Sequence, residues 1–302
     1  MEKPVFKDYF LLHLCIIFWG FTSVLGVLSN LSAPFLVVYR TALAFVTLLG
    51  LIYWNYKTVK LPDSNRGLII LGGILTAFHW TTFFASAQMS NVSTCLAGMS
   101  TTALWTSLLE PIFTKRKFEW RELILSIFVS IGLILIFNSD FSMAAGLSVS
   151  IISALACSCF TIINRKLVAS HSPLVITTWE MGFAFVASLL FLPLLSFSGL
   201  LTENKFQTPK DWDWLNILFL GWVCTVFAYT MSVELMKKFS AFAINLTVNL
   251  EPVYGIFLGL LIFGQKEKMA PLFYVGLSMI LLGVFAFPFL NRIKKPRYLR
   301  GS

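Results

Sequence analysis

The sequence predicts an all-α integral membrane protein: ten transmembrane helices arranged as two inverted five-helix repeats. Three observations carry that expectation. The 302 residues are 57% hydrophobic and only 12% charged, where a soluble domain of this length would be about a quarter charged. Too little polar surface exists to solvate a globule, so apolar side chains must face lipid. Ten apolar runs can be read along the chain, each near the ~20 residues that a spanning helix needs. Lys and Arg gather in alternate connections between those runs, so the net charge of +9 is a topology signal and not a nucleic-acid patch. Strict apolar–polar alternation is absent, which argues against a β-barrel.

The first run, Tyr9–Leu28, follows Lys3 and Lys7 and so mimics a secretory leader. It continues without a small-residue cleavage site, so it reads as a first spanning helix. Pro34–Trp54, Gly67–Ala87, Val92–Phe113 and Trp120–Phe137 follow and complete a first repeat over residues 1–138. The second repeat, residues 139–302, holds Met143–Ile163, Pro173–Leu195, Trp212–Met236, Ser240–Phe263 and Ala270–Leu290, then a basic tail. Most connections are very short, which makes successive helices antiparallel neighbours; Ser196–Asp211 is a longer polar loop. One side collects most basic residues, among them Lys57, Arg66, Lys115, Arg116, Arg165, Lys237 and the tail from Arg292. The other side has only Lys205, Lys210, Lys266 and Lys268. That asymmetry places both termini in the cytoplasm, in a chain of the cell's inner membrane. The five cysteines show neither a disulfide framework nor metal-ligand spacing, so no metal or other cofactor is expected.

The ninth run carries the most telling stretch, Ile244 to Tyr254, with two Asn, a Thr, a carboxylate and a proline near its middle. A carboxylate at that depth costs about 2.5–3.5 kcal/mol, so Glu251 should face a bundle interior or a wet cavity. Pro252 removes a backbone donor and frees a carbonyl one turn earlier, which makes it a gating candidate. Such a defect survives in hydrocarbon only where protein or cavity water satisfies it. The segment is therefore expected to line a solute pathway.

The halves also repeat. Tyr39-Arg40-Thr41-Ala42 corresponds to Trp179-Glu180-Met181-Gly182, Trp19-Gly20-Phe21-Thr22 to Cys157-Ser158-Cys159-Phe160, and Ile131-Gly132-Leu133 to Leu282-Gly283-Val284. Five spans per half is odd, so the second half enters the membrane upside down, as in many transporters.

With Phe18-Trp19-Gly20-Phe21, Tyr39-Arg40-Thr41-Ala42, Asn249-Leu250-Glu251-Pro252-Val253 and the exit Phe263-Gly264-Gln265, the chain resembles the EamA branch of the drug/metabolite transporter superfamily. The resemblance covers nearly the whole chain. It implies ten helices in two inverted repeats, cytoplasmic termini, a central cavity, and movement, often export, of metabolites or amino acids. The sequence departs from the pattern twice. Ala103 stands where the first-half counterpart of Pro252 would be, and Gln265 stands where an acid usually follows Gly.

Several side chains could carry the chemistry. Arg40 lies about six residues into its span, ~9 Å from the helix end. It either pairs with a protein acid or awaits an anionic solute group. With Glu251 it could hold the carboxylate and ammonium of an amino acid, or the two could pair with each other. Glu180, the counterpart of Arg40, is a gating or proton-carrying candidate; a solvated carboxylate near the interface is the alternative. Glu110 and Glu234 read as structural, neutralised by Lys115 or by Lys237 and Lys238. Asn245 and Asn249 share a helix face and could meet solute or bond across helices. His79 is either a proton relay or a satisfied core histidine. Trp19, Trp80, Trp105, Trp179, Tyr229 and Tyr254 sit at mid-span and could stack on an amphipathic solute. Gly255 and Gly259 form a helix-packing pair.

No nucleophile with a base, metal-binding His cluster or P-loop is present, which disfavours a membrane enzyme or an ATP-driven pump. The expected function is secondary transport, in the export direction, of small amphipathic metabolites such as amino acids or related amines, with protons a candidate coupling ion. A flippase for a lipid-linked substrate is the alternative. The sequence says nothing of oligomeric state.

Overall fold

A computed structural model describes residues 3–57, 59–137, 144–197, 206–254 and 271–292. These residues form helices and connections, with no strand among them. In chain order the elements are α1 (Phe6–Gly20), α2 (Thr22–Leu28), α3 (Ala33–Tyr56), α4 (Arg66–Met89), α5 (Val92–Met99), α6 (Thr102–Thr114) and α7 (Trp120–Phe137). There follow α8 (Ala144–Leu167), α9 (Pro173–Phe197), α10 (Asp213–Leu218), a π-helical segment (Phe219–Phe227), α11 (Ala228–Leu235), α12 (Ala241–Val248) and α13 (Pro271–Arg292).

Six stretches are long and apolar enough to cross a bilayer: Phe6–Leu28, Ala33–Tyr56, Arg66–Met89, Ala144–Leu167, Pro173–Pro193 and Asp213–Leu235. They coincide with the first, second, third, sixth, seventh and eighth expected runs. The fourth run is split into α5 and α6, and α7 covers the fifth. The ninth run breaks after α12, resumes as helix over residues 251–254, and then passes outside the described residues together with Gly255, Gly259, Gly264 and Gln265. The tenth run is α13, whose apolar part is Tyr274–Phe287. The expected repeat boundary at residue 138 also lies outside the described residues.

Packing follows from what lipid allows. The outward surface is apolar: Trp54 is 77% exposed, and Val46, Ile124, Leu190 and Leu282 are more than half exposed. Many hydroxyl and amide side chains instead point inward, where they find carbonyls that hydrocarbon would leave bare. Thr41, Thr76, Ser86 and Ser158 are fully or almost fully buried and each donates to a backbone carbonyl. The helix partners are specific. α4 packs on α8 and α9, α3 on α9 and the π segment, and α7 on α13. α1 packs on α11 and α12, while α6 packs on α8 and α12.

Close approach in two of these pairs depends on glycine. Gly72 and Gly73 of α4 lie against Glu180, Phe183 and Ala184 of α9. Gly132 of α7 faces the Gly276 carbonyl and Met279 of α13, and Gly283 of α13 faces Val129 of α7. A Cβ on Gly132 would stand 2.9 Å from the Gly276 carbonyl oxygen, so the two backbones would have to separate. Gly132→Leu should therefore lower unfolding stability in detergent by about 1–3 kcal/mol. Gly50→Leu, with nothing within 4 Å of its Cβ, should change it by less than about 0.5 kcal/mol. Thermal denaturation of the two variants side by side measures the contrast; equal losses would mean that the α7–α13 contact is not as close as described.

Candidate substrate cavity

A cavity of about 80 Å³ lies where α1, α2, α3, α4, α8, α11 and α12 converge. Its polar side chains come from helices far apart in sequence, so it exists only in the folded bundle.

Arg40 enters from α3 and is 2% exposed. Its Nε donates to Thr225 Oγ1 at 2.8 Å. Its guanidinium carbon stands 3.7 Å from the centroid of the Trp80 ring, a cation–π stack. Thr225 can serve because of the π segment. Its hydroxyl donates back to the Leu220 carbonyl five residues earlier, at 2.7 Å, leaving a lone pair for Arg40. An α-helical register would offer a carbonyl four residues back; the extra residue of a π-turn re-aims the side chain. Guanidinium carries five N–H donors. Nε is used on Thr225, and among the described residues no carboxylate lies within 4 Å of the group, which lines the cavity.

Glu251 reaches the same cavity from the broken ninth run. After Val248 the chain tightens, with Asn249 N–H on the Leu246 carbonyl and Leu250 N–H on that of Thr247. Helix resumes at Glu251. Pro252 thus stands in the first turn of a new helix, where its missing N–H has no intrahelical acceptor to lose. Glu251 Oε1 lies 3.5 Å from the Thr22 hydroxyl. The fourth run breaks the same way without a proline. Ser100 and Thr101 separate α5 from α6, and the hydroxyls of Ser100, Thr101 and Thr102 donate to the carbonyls of Ala97, Gly98 and Met99.

Other expected site residues are also placed at the cavity. Trp19 is oriented by its ring N–H on the Cys224 carbonyl at 3.0 Å. Tyr229 meets Trp80 edge-on and lies tilted against Phe160. His79 lines the cavity while its Nδ1 is 2.8 Å from Ser153 Oγ, an α4–α8 clamp. Asn245 donates to Thr106 at 2.8 Å and accepts from Thr161 at 3.3 Å, so it joins α12 to both α6 and α8.

Asn249, Trp179, Tyr254 and Pro252 do not line it. The Tyr254 hydroxyl is 2.6 Å from His13 Nδ1. Trp179 donates to the Lys60 carbonyl and packs near Phe45. Asn249 is buried with its Nδ2 unpaired among the described residues. Glu180 also stands outside the cavity, and it is not a solvated interfacial carboxylate: it is fully buried. Its Oε2 accepts from Tyr229 at 3.0 Å and from Asn164 at 3.1 Å. Glu234 pairs with Lys237, while Lys238 pairs with Asp8 at 3.0 Å.

Glu110 is neutralised by Arg116, not Lys115. Arg116 bridges it to Glu122. Burial opposes the Arg116 charge, but the two carboxylates outweigh it and hold its pKa above the usual arginine value. Glu110 also accepts the backbone N–H groups of Ala241 and Phe242, so it caps α12 from the other half of the chain.

Thr225, Asn164, Thr106, Thr161 and Ser153 were not singled out by the sequence. The signal was present but weak: each is a polar group in or at the end of an apolar run, where a partner is required.

The comparisons with known proteins agree with this architecture. The model of the EamA-like transporter family matches residues 7–138 and 144–292. An "Uncharacterized transporter" of Clostridium kluyveri is 21% identical over 92% of this chain and 91% of its own length. A "Probable amino-acid metabolite efflux pump" of Salmonella typhimurium is 20% identical over 98% of this chain and 99% of its own. "Solute carrier family 35 member F2" of Xenopus tropicalis is 35% identical, but over only 30% of this chain and 24% of its own. A crystal structure at 12% identity superposes with a TM-score of 0.75 over 96% of this chain and 99% of that one, which shows a shared fold. With both of those stretches matched, the chain belongs to the EamA-like transporter family and is a multi-pass membrane transporter.

Proposed function

We propose that the protein is a secondary transporter that exports small amphipathic metabolites, amino acids or related amines, by alternating access around the Arg40–Glu251 cavity. One observation carries the reading: Arg40 and Glu251 face one cavity without forming an ion pair with each other or, among the described residues, with anything else. A guanidinium and a carboxyl group kept apart at membrane depth suit a solute bearing both charges, its carboxylate on the guanidinium and its ammonium on the acid. Trp19, Trp80 and Tyr229 then offer an aromatic wall to its side chain. The efflux pump of Salmonella typhimurium, matched over nearly its whole length, favours amino-acid metabolites and export.

The cavity must enlarge to work. At about 80 Å³ it holds several waters, whereas sites for small organic ligands span roughly 300–1,000 Å³. On this reading the cavity as described corresponds to a contracted form of the cycle. Inverted five-helix repeats would supply the motion. Counting ten spans in chain order, α4 on α8 pairs the third with the sixth; moving both by five gives the eighth with the first, which is α11 on α1. In the same way α4 on α9 maps to the π segment on α3, and α6 on α8 maps to α12 on α1. The breaks at Ser100 and Asn249 are 249 − 100 = 149 residues apart, the spacing expected of repeat partners. Both termini lie in the cytoplasm of an inner-membrane protein on this reading, by the distribution of Lys and Arg.

Glu251→Gln in proteoliposomes should reduce transport of amino acids roughly ten- to hundredfold, as expected for loss of a charge-assisted contact, while insertion and folding persist. Transport at the parent rate across pH would place the solute elsewhere. Arg40→Ala should weaken carboxylate-bearing solutes by a similar factor and the matching amines much less; equal losses would make Arg40 a structural residue. A thermal-shift screen of the purified parent against amino acids and amines identifies the solute, since a ligand of the folded state raises the apparent melting point.

A further inference from the structure

We infer that Glu180 is a proton-binding carboxyl, joined to the cavity through Tyr229, and that its proton exchanges as the carrier cycles; the coupling role rests on the transport reading above. Glu180 is 0% exposed and does not line the cavity. Among the described residues, the groups recorded against it are neutral. From α4 come Gly72 and Gly73, from α8 the Asn164 amide, from α11 the Tyr229 phenol, and α3 packs on α9 through Phe45 against Gly182. Tyr229 is the one titratable group touching it among the described residues.

The charges on those helices are engaged elsewhere or lie at the surface. Arg40 is held by Thr225 and Trp80, His79 by Ser153, Arg66 by Asp63 and Glu234 by Lys237. Lys57 lies over Trp54, Arg165 is half-buried and Lys166 is exposed.

A carboxylate buried without a cation is costly beyond what two neutral hydrogen bonds repay. Glu180 Oε1 has no partner at all among the described residues. A bare oxygen is tolerable as the carbonyl of a neutral acid and not as half of an anion. The room for it is built in, because a Cβ on Gly72 would overlap Glu180 Oε1.

The contacts form a connected path. With a proton on Oε2, Glu180 donates to the Tyr229 oxygen across the same 3.0 Å contact. Tyr229 can donate to Thr76 Oγ1 at 3.3 Å, and Thr76 donates to the Gly72 carbonyl at 2.8 Å. Tyr229 itself lines the cavity. On release, the Glu180 O–H bond breaks, Tyr229 oxygen takes that proton, and the proton of Tyr229 passes to cavity water. Recharging runs the steps backwards, so charge and protons balance.

The test has two arms. Infrared spectra of the reconstituted protein at neutral pH should show the C=O stretch of a protonated carboxylic acid that Glu180→Gln removes and Glu251→Gln leaves in place. Tyr229→Phe, which keeps the ring, should shift that band. This arm needs no solute, so it reads the proton site whether or not amino acids are carried. In the second arm, radiolabelled neutral amino acids are followed in proteoliposomes. A pH gradient should drive about tenfold accumulation per pH unit in the parent for one-for-one coupling. Glu180→Gln should abolish that drive and retain solute exchange at equal pH. A band unchanged by Glu180→Gln would overturn the proposal, as would a Glu180→Gln carrier that still responds to the gradient like the parent.

Discussion

The guanidinium of Arg40, sealed at membrane depth with no carboxylate within 4 Å among the described residues, is the feature the surrounding bundle is built to hold. Hydrocarbon cannot solvate it, so protein must. The Trp80 face covers one side and Thr225 takes Nε. The Thr225 hydroxyl is in turn set by the π segment. Trp80 leans on Tyr229, and Tyr229 reaches Glu180. One chain of contacts running out from this cation thereby links α3, α4, the π segment, α9 and α11.

The two membrane carboxyls occupy different settings. Glu251 borders open cavity volume beside Thr22, at the restart of a helix. Glu180 sits in packed protein between glycines, with an amide and a phenol on one oxygen. The residue type is the same and the surroundings differ, which is how one fold can give two acids different properties. The break beside Glu251 has a counterpart at Ser100–Thr101, where hydroxyls take up neighbouring carbonyls instead of a proline marking the restart. Different chemistry arrives at the same local geometry.

Much of this was legible from the residues. A charge inside an apolar run cannot be ignored, so Arg40 and Glu251 announced a polar interior before any coordinates. Lipid-facing runs gave the six long helices for the same reason. Partners were not legible. Arg40 and Thr225 are 185 residues apart, and Asn245 and Thr106 are 139 apart; periodicity carries no information about such pairs. The solvated-carboxylate alternative for Glu180 fails because helix rise gives depth and not neighbours. Asn164 was hidden beside Arg165 and Lys166, which drew attention as a topology signal. The break at Ser100 lacked the proline that made the other one visible.

The cap on α12 has a mechanical consequence. Glu110 belongs to α6, yet it terminates a helix of the opposite half by accepting two of its backbone N–H groups. Arg116 and Glu122 brace it from behind. Any rocking that draws α6 from α12 strips that helix end of its acceptor, at a cost of about 1–3 kcal/mol for each donor left bare in a dry environment. The junction is therefore a seam that any such motion would have to break, so under the alternating access proposed above it would act as a latch between α6 and α12.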